Sequence, residues 1–150
     1  MDQPADSPKL FTLEEAERAR SLIEPLLGEA IEQRRVALDF ERRLGRLSQR
    51  IMLMGGLSLR REKALALRQG LEGATEKTQS AVQQIEATGC KVRDIDLGLI
   101  DFPGRLNGED VFWCWRLGET RIRFWHRPGE GFAGRKPISP GDPGATPPVQ

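Results

Sequence analysis

Residues 112–126, FWCWRLGETRIRFWH, decide the fold of the C-terminal half of this chain. They contain all three tryptophans, the only histidine and one of the two cysteines. Apolar and polar residues alternate on both sides of Gly118-Glu119, a pattern typical of two β-strands joined by a tight turn. A second turn dipeptide, Asn107-Gly108, lies upstream. The segment from about 91 to 126 is therefore predicted to be a three-stranded antiparallel meander.

The turns also predict the strand register. A two-residue turn at Gly118-Glu119 places Trp113 opposite Phe124 and Trp115 opposite Ile122, on an apolar face suited to packing against helices. The Asn107-Gly108 turn places two further apolar residues on that same face, beside the two tryptophans. The other face is expected to be polar and to carry Asp101, Phe112, Cys114, Arg116, Arg121, Arg123 and Trp125.

The N-terminal half has a helical period. In FTLEEA, residues 11–16, Thr12 and Glu15 have the spacing of a capping box. Apolar residues then recur every three or four positions as far as Met54, and again between Gly55-Gly56 and Gly89. This pattern predicts an antiparallel helical hairpin with coiled-coil-like packing, with helices at about 12–54 and 58–88.

Together these elements predict a single α+β domain over residues 10–138. It consists of the helical hairpin, the meander and a glycine-rich loop at 127–138. Residues 1–9 are expected to form a flexible leader, and the proline- and glycine-rich residues 139–150 a disordered tail.

Composition excludes several classes of protein. The net charge of +1 is unlike that of a dedicated nucleic-acid binder. No apolar run approaches membrane-spanning length, and two cysteines are too few for a disulfide scaffold. We expect a cytoplasmic protein with reduced thiols and no membrane contact.

The polar sheet face is the candidate binding site. Arginine and tryptophan together suit phosphates, carboxylates and stacked rings. The predicted ligand-binding residues are Asp101, Arg116, Arg121, Arg123, Trp125 and Arg135, with Cys114, Glu119 and His126 as secondary candidates. The alternative is an exposed face stabilised by Asp–Arg pairs and stacked aromatic side chains.

Catalytic and metal sites are weaker hypotheses. Cys114 and His126 resemble a nucleophile and its base, but the predicted register points them to opposite faces, so no catalytic residue is assigned. Ligands drawn from His126, Asp94, Asp96 or Asp101 have no recognisable metal-site spacing. Neither a metal nor a cofactor is therefore expected.

The resulting hypothesis is a non-enzymatic binding protein. The helical hairpin would contact a protein partner and the sheet an anionic small molecule; the alternative is a small enzyme with a site around His126, Asp101 and Arg116. Residues 34–63 hold nine basic residues against three acidic ones, so RNA is a further candidate partner. Residues 13–33 have a net charge of −4, and pairing of the two segments would give a homodimer.

Three stretches add a family resemblance. FTLEEA, DIDLGLIDFPGRLNGEDVFWCWRLGE and FWHRPGEGFAGRKPI, within roughly residues 10–138, together resemble an uncharacterised bacterial family known as domain of unknown function 2203. The resemblance implies the domain limits and no reaction. Residues of this chain that fall within the family pattern are Asp96, Asp101, Cys114, Trp115, Arg116, Glu119, Trp125, His126, Gly131, Phe132, Gly134 and Arg135.

Overall fold

A computed structural model describes residues 9–54 and 58–139 of the chain. Two long helices form an antiparallel hairpin and are followed by one five-stranded antiparallel sheet, whose strands pair in chain order. The α+β fold and the helical hairpin are therefore as the sequence predicts. The elements are α1 (Leu13–Met54), α2 (Ser58–Glu86), β1 (Lys91–Asp94), β2 (Leu99–Leu106), β3 (Glu109–Arg116), β4 (Phe124–His126), the short 3-10 helix η1 (Phe132–Gly134) and β5 (Lys136–Pro137).

The strand count is higher than predicted. A turn splits the first predicted strand into β1 and β2: the Leu97 N–H donates to Asp94 Oδ1, and Gly98 takes a positive φ of 68°. The glycine-rich loop also returns to the sheet edge as β5, next to β4. Apart from residues 9 and 139, the predicted leader and tail lie outside the described residues.

The predicted capping box begins α1. The Thr12 N–H donates to Glu15 Oε1 and the Glu15 N–H donates to Thr12 Oγ1, both at 3.1 Å. These hydrogen bonds lower the pKa of the Glu15 carboxyl, the bond from the Thr12 backbone having the largest effect. Two otherwise unpaired N–H groups are thus satisfied at the helix start.

The two ends of the helical hairpin differ in burial. The buried residues of α1 all lie in its first half and end at Ala30, where the helix packs against the sheet. Farther along, α1 contacts mainly α2, and the ring of Phe40 occupies the space that a side chain at Gly70 would fill. The far end of the hairpin therefore projects from the domain as an arm.

No helix among the described residues has an apolar stretch that could cross a membrane.

The N-terminal segment closes the core over β2. The Phe11 N–H donates to the Pro103 carbonyl at 2.7 Å, and Trp113 Nε1 donates to the Phe11 carbonyl at 2.9 Å. Gly104 permits this approach, because a Cβ there would overlap Trp113 Nε1 and lie 2.9 Å from the Phe11 oxygen. The buried core surrounds this contact and includes Ile23, Leu27, Ile85, Ile100, Phe102, Trp113 and Trp115.

The register between β2 and β3 agrees with the sequence-based one. Ile100 pairs with Trp115, Asp101 with Cys114 and Phe102 with Trp113. The Asn107-Gly108 turn supports it, since both residues take positive φ angles of 54° and 80°.

The predicted register between β3 and β4 is wrong by one residue. Trp113 pairs with Trp125, not with Phe124, and Phe112 pairs with His126. The reason lies in the connection between the strands, which is longer than a two-residue turn. Trp115 Nε1 donates to the Glu119 carbonyl at 2.8 Å, and the Ile122 N–H donates to Glu17 Oε1 on α1. A shift of one residue moves every β4 side chain to the opposite face.

We expect Gly104→Ala to destabilise the fold by about 1 to 3 kcal/mol, because the added methyl group displaces Trp113 from its hydrogen bond to Phe11. Gly45→Ala is the matched control, since a Cβ at this helical position meets no atom within 4 Å. That variant should gain up to about 1 kcal/mol from helix propensity. Urea unfolding of both variants measures the difference; equal stabilities would contradict this packing.

Candidate functional site

Three buried side chains from three neighbouring strands meet on the sheet face that the sequence predicts to be polar. Asp101 of β2, Cys114 of β3 and His126 of β4 are 0%, 2% and 2% exposed. One carboxylate oxygen, the sulfur and one ring nitrogen all lie within 4.8 Å of one another. We call these three residues the buried cluster.

Both carboxylate oxygens of Asp101 have hydrogen-bond donors. Oδ1 faces Nε2 of His126 at 3.0 Å, and Oδ2 accepts from Nε of Arg93 at 2.8 Å. Arg93 reaches inward from β1 while its side chain stays 45% exposed, and its guanidinium lies over the Phe112 ring. The buried carboxylate is therefore connected to a charge at the protein surface.

The imidazole of His126 is held at both nitrogens. Nδ1 lies 2.9 Å from the Arg127 carbonyl oxygen, and because a carbonyl only accepts, Nδ1 carries a hydrogen. The Phe112 ring lies against the imidazole at a centroid distance of 5.4 Å. These contacts fix the ring so that Nε2 points at Asp101.

Cys114 completes the cluster as a neutral thiol. Burial raises its pKa to about 12, with a further contribution from the Asp101 charge, while Arg135 acts in the opposite direction. A protonated, covered thiol is a poor nucleophile. The structure nevertheless corrects one prediction, because Cys114 and His126 share a face and do not point to opposite sides.

Arg135 covers this face from the glycine-rich loop. Its guanidinium lies over the rings of Phe124 and Phe132, 4.2 and 4.1 Å from their centroids. Nη1 donates to Glu119 Oε1 at 3.0 Å, which ties the loop to the β3–β4 connection. Arg135 thus lies over the polar face and closes the buried cluster from above.

The other predicted binding residues do not assemble into one platform. Arg116 lies on the same face, over the Phe132 ring at 5.6 Å. Arg121 and Arg123 are exposed in the β3–β4 connection, so the predicted pairing of Arg116 with Arg121 and of Cys114 with Arg123 is wrong. Trp125 pairs with Trp113 on the other face, and the cations of Arg127 and Lys136 lie 5.3 and 5.0 Å from its ring centroid.

Asp94 and Asp96 lie outside the buried cluster. Asp94 caps the β1–β2 turn, and Asp96 forms a bidentate pair with Arg34 of α1 at 2.6 and 3.3 Å. The hydrogen bond from Arg34 lowers the pKa of Asp96.

The sequence analysis missed Arg93 as a partner of Asp101. The sequence signal is the alternation of Lys91 and Arg93, which would place both basic side chains on one face of a regular strand. The β1–β2 register pairs Lys91 with Asp101, and although it shifts between Val92 and Asp94, Arg93 still reaches Asp101.

Removing the buried carboxylate should be strongly destabilising. Asp101→Asn leaves Arg93 and His126 without their common anionic partner, and we expect a loss of about 3 to 5 kcal/mol in the free energy of unfolding. Asp96→Asn is the matched control, because it removes an exposed Asp–Arg pair and should leave stability almost unchanged. Urea denaturation of the two variants compares them; a small loss at Asp101 would argue against the buried cluster.

The thiol of Cys114 should react slowly in the native protein. In a Cys90→Ser background, an aromatic disulfide reagent at pH 8 should label Cys114 far more slowly than it labels the urea-unfolded chain, because the thiol is covered and protonated. Labelling at the unfolded rate under native conditions would mean that Arg135 does not cover this face.

The comparisons with known proteins concern the whole domain. A family model described as an uncharacterized conserved protein, DUF2203, matches residues 9–138. No curated protein and no solved structure gives a significant match. The matched range takes in both helices and all five strands, including the three residues of the buried cluster. The chain therefore belongs to the DUF2203 family of uncharacterized conserved proteins.

Proposed function

We propose that this protein is a non-enzymatic binding protein whose helical arm docks an acidic protein partner. We define the arm as residues 42–54 of α1 and 60–68 of α2. It contains eight basic residues and one acidic residue, whereas the whole chain has a net charge of only +1. The observation that supports the proposal is this concentration of positive charge at one end of the molecule.

The cations of the arm surround a groove between the two helices. Its volume is about 250 Å³, and its lining residues are Arg43, Arg46, Leu47, Arg50, Lys63 and Leu67. Arg43 pairs with Asp39 one turn earlier in α1. Within the part of the chain that the structure describes, no other cation of the arm has a carboxylate partner. The arm is therefore left with charge for a partner to neutralise.

Apolar side chains at the end of α1 distinguish the partner classes. Met52, Leu53 and Met54 are 86%, 84% and 70% exposed, beside the arginines of the groove. Arginine and methionine are enriched in protein interfaces and lysine is depleted there, and the arm holds seven arginines to one lysine. A phosphate backbone would leave these apolar side chains uncovered, so the composition favours an acidic protein over RNA.

The enzymatic alternative has less support. It requires Arg116 beside His126 and Asp101, but Arg116 is exposed and contacts Phe132, whereas the other two are covered. A small-anion site at Arg116, Arg121 or Arg123 stays a prediction, although these residues do not form the single platform that the sequence suggested. All three are exposed, and among the described residues none of their guanidinium groups pairs with a carboxylate; the Glu119 carboxylate accepts from Arg116 only through its backbone N–H.

Photocrosslinking tests the docking surface directly. With benzoylphenylalanine in place of Met52, irradiation of living cells should link the chain to one acidic protein. The combined variant Arg43→Glu, Arg46→Glu and Arg50→Glu should abolish the product, because it reverses the charge of the groove. The control variant Arg116→Glu, Arg121→Glu and Arg123→Glu makes the same charge change at the sheet end of the molecule and should retain the product.

The other possible products contradict the proposal. A product that is destroyed by ribonuclease would identify RNA as the partner. A product with twice the mass of the chain would identify a second copy, whose acidic residues 13–33 contact the arm. Retention of the product in the arm variant would place the interface elsewhere.

A further inference from the structure

We propose that the buried cluster of Asp101, Cys114 and His126 is a binding site for a divalent transition-metal ion of the Zn²⁺ class. The ligand atoms are Oδ1 of Asp101, Sγ of Cys114 and Nε2 of His126. This inference is independent of the helical arm and concerns the opposite end of the molecule.

The ligand types and their spacing suit this class of ion. Thiolate, imidazole and carboxylate are the three side-chain ligands that zinc accepts, with bonds of about 2.0 to 2.3 Å. Around a tetrahedral ion such ligand atoms stand about 3.2 to 3.7 Å apart. In this structure the oxygen and nitrogen are 3.0 Å apart, and all three atoms lie within 4.8 Å. Small side-chain rotations therefore bring the atoms to coordination distance.

The surrounding hydrogen bonds already orient the ligands. Metal-binding histidines commonly donate their second ring nitrogen to a backbone carbonyl or a carboxylate, which fixes the ring. His126 does this through Nδ1 to the Arg127 carbonyl, leaving Nε2 directed into the cluster. Arg93 holds the outer oxygen of Asp101 in the same way and leaves Oδ1 facing inward. Both contacts persist when the inner atoms bind a metal.

The ligand charges suit a divalent ion. A metal ion binds cysteine as the thiolate, so the Cys114 thiol gives up its proton on binding, and Asp101 contributes a carboxylate. These two negative charges offset the two positive charges of the ion, and the site needs no further acidic residue.

Arg135 is the residue that controls access. It lies over Phe124 and Phe132 and is held by Glu119, on a loop that begins with glycines at 129 and 131. A three-ligand site leaves one tetrahedral position for water or an anion. The Arg135 side chain interacts with Cys114, and its positive charge would favour an anion in that position.

Cobalt titration of the chelator-treated, full-length protein tests the site. Co²⁺ should bind at one equivalent and produce both a thiolate charge-transfer band and the intense visible bands of tetrahedral coordination. Zn²⁺ should displace it, and binding should release the proton of the Cys114 thiol, as measured with a pH indicator. This titration uses the wild-type protein, so its result does not depend on whether any variant folds.

Variants assign the ligands. Cys90→Ser is the matched control, because Cys90 is also buried but contacts the Ile85 carbonyl and Thr88; its spectrum should be unchanged. Cys114→Ser should lose the charge-transfer band. His126→Gln should weaken metal binding by more than about 100-fold, which is a larger loss than removal of a residue that only hydrogen-bonds to a ligand would cause.

Three results would overturn the proposal: no stoichiometric binding by the wild-type protein, binding without a thiolate band, or a band that disappears with Cys90. In the last two cases the metal is bound elsewhere, and the buried cluster is a hydrogen-bonded structural element. Circular dichroism shows whether each variant is folded. If Cys114→Ser is unfolded, the wild-type band, measured beside that of Cys90→Ser, decides the question.

Discussion

The hydrogen bond between Asp101 and His126 is the interaction on which the polar side of the sheet depends. It joins β2 to β4 across the intervening strand β3. Asp101 Oδ1 and His126 Nε2 are 3.0 Å apart, and both residues are buried. A buried polar group without a partner costs about 1 to 3 kcal/mol, so a carboxylate and an imidazole at these positions require each other. Only the observed β3–β4 register brings them together, because a slip of one residue would point His126 to the other face.

The rest of this face follows from that register. Cys114 lies between the two strands that supply Asp101 and His126, and Phe112 and Phe124 become the aromatic neighbours of the histidine and of Arg135. The loop after β4 then passes over this face before it joins the sheet edge as β5, and Arg135 on that loop lies over the cluster. On the opposite face, Trp125 joins the edge of the core beside Trp113. One residue of register thus determines which side chains are covered by helices and which by the loop.

The two ends of the molecule have different physical character. The sheet end holds ionisable groups that are buried and satisfied by hydrogen bonds; among the described residues no buried side-chain polar atom is without a partner. The arm has cations on its surface and three exposed apolar residues at the end of α1. Ionic strength should therefore affect contacts of the arm, where charges are screened, far more than the buried cluster.

The sequence predicts the fold well where local signals are strong. The capping box at Thr12, the helical periodicity and the Asn107-Gly108 turn each specify one local geometry, and the structure contains all three. The β3–β4 register escaped prediction because Gly118-Glu119 resembles a two-residue turn, whereas tertiary contacts of Trp115 and Ile122 hold a longer connection. The sequence analysis also did not recognise the buried cluster as a set of metal ligands. Asp101, Cys114 and His126 are 13 and 12 residues apart in the sequence, and only strand pairing brings them together.

The register of β4 is the central claim, and nuclear Overhauser effects between backbone and side-chain protons of the labelled protein test it most directly. The structure predicts cross-strand contacts between Phe112 and His126 and between Cys114 and Phe124, together with contacts from the His126 ring to the Cys114 methylene. Contacts from Phe112 to Trp125 and from Trp113 to Phe124 would instead establish the two-residue turn. That result would separate His126 from Asp101 and remove both the buried cluster and the proposed metal site.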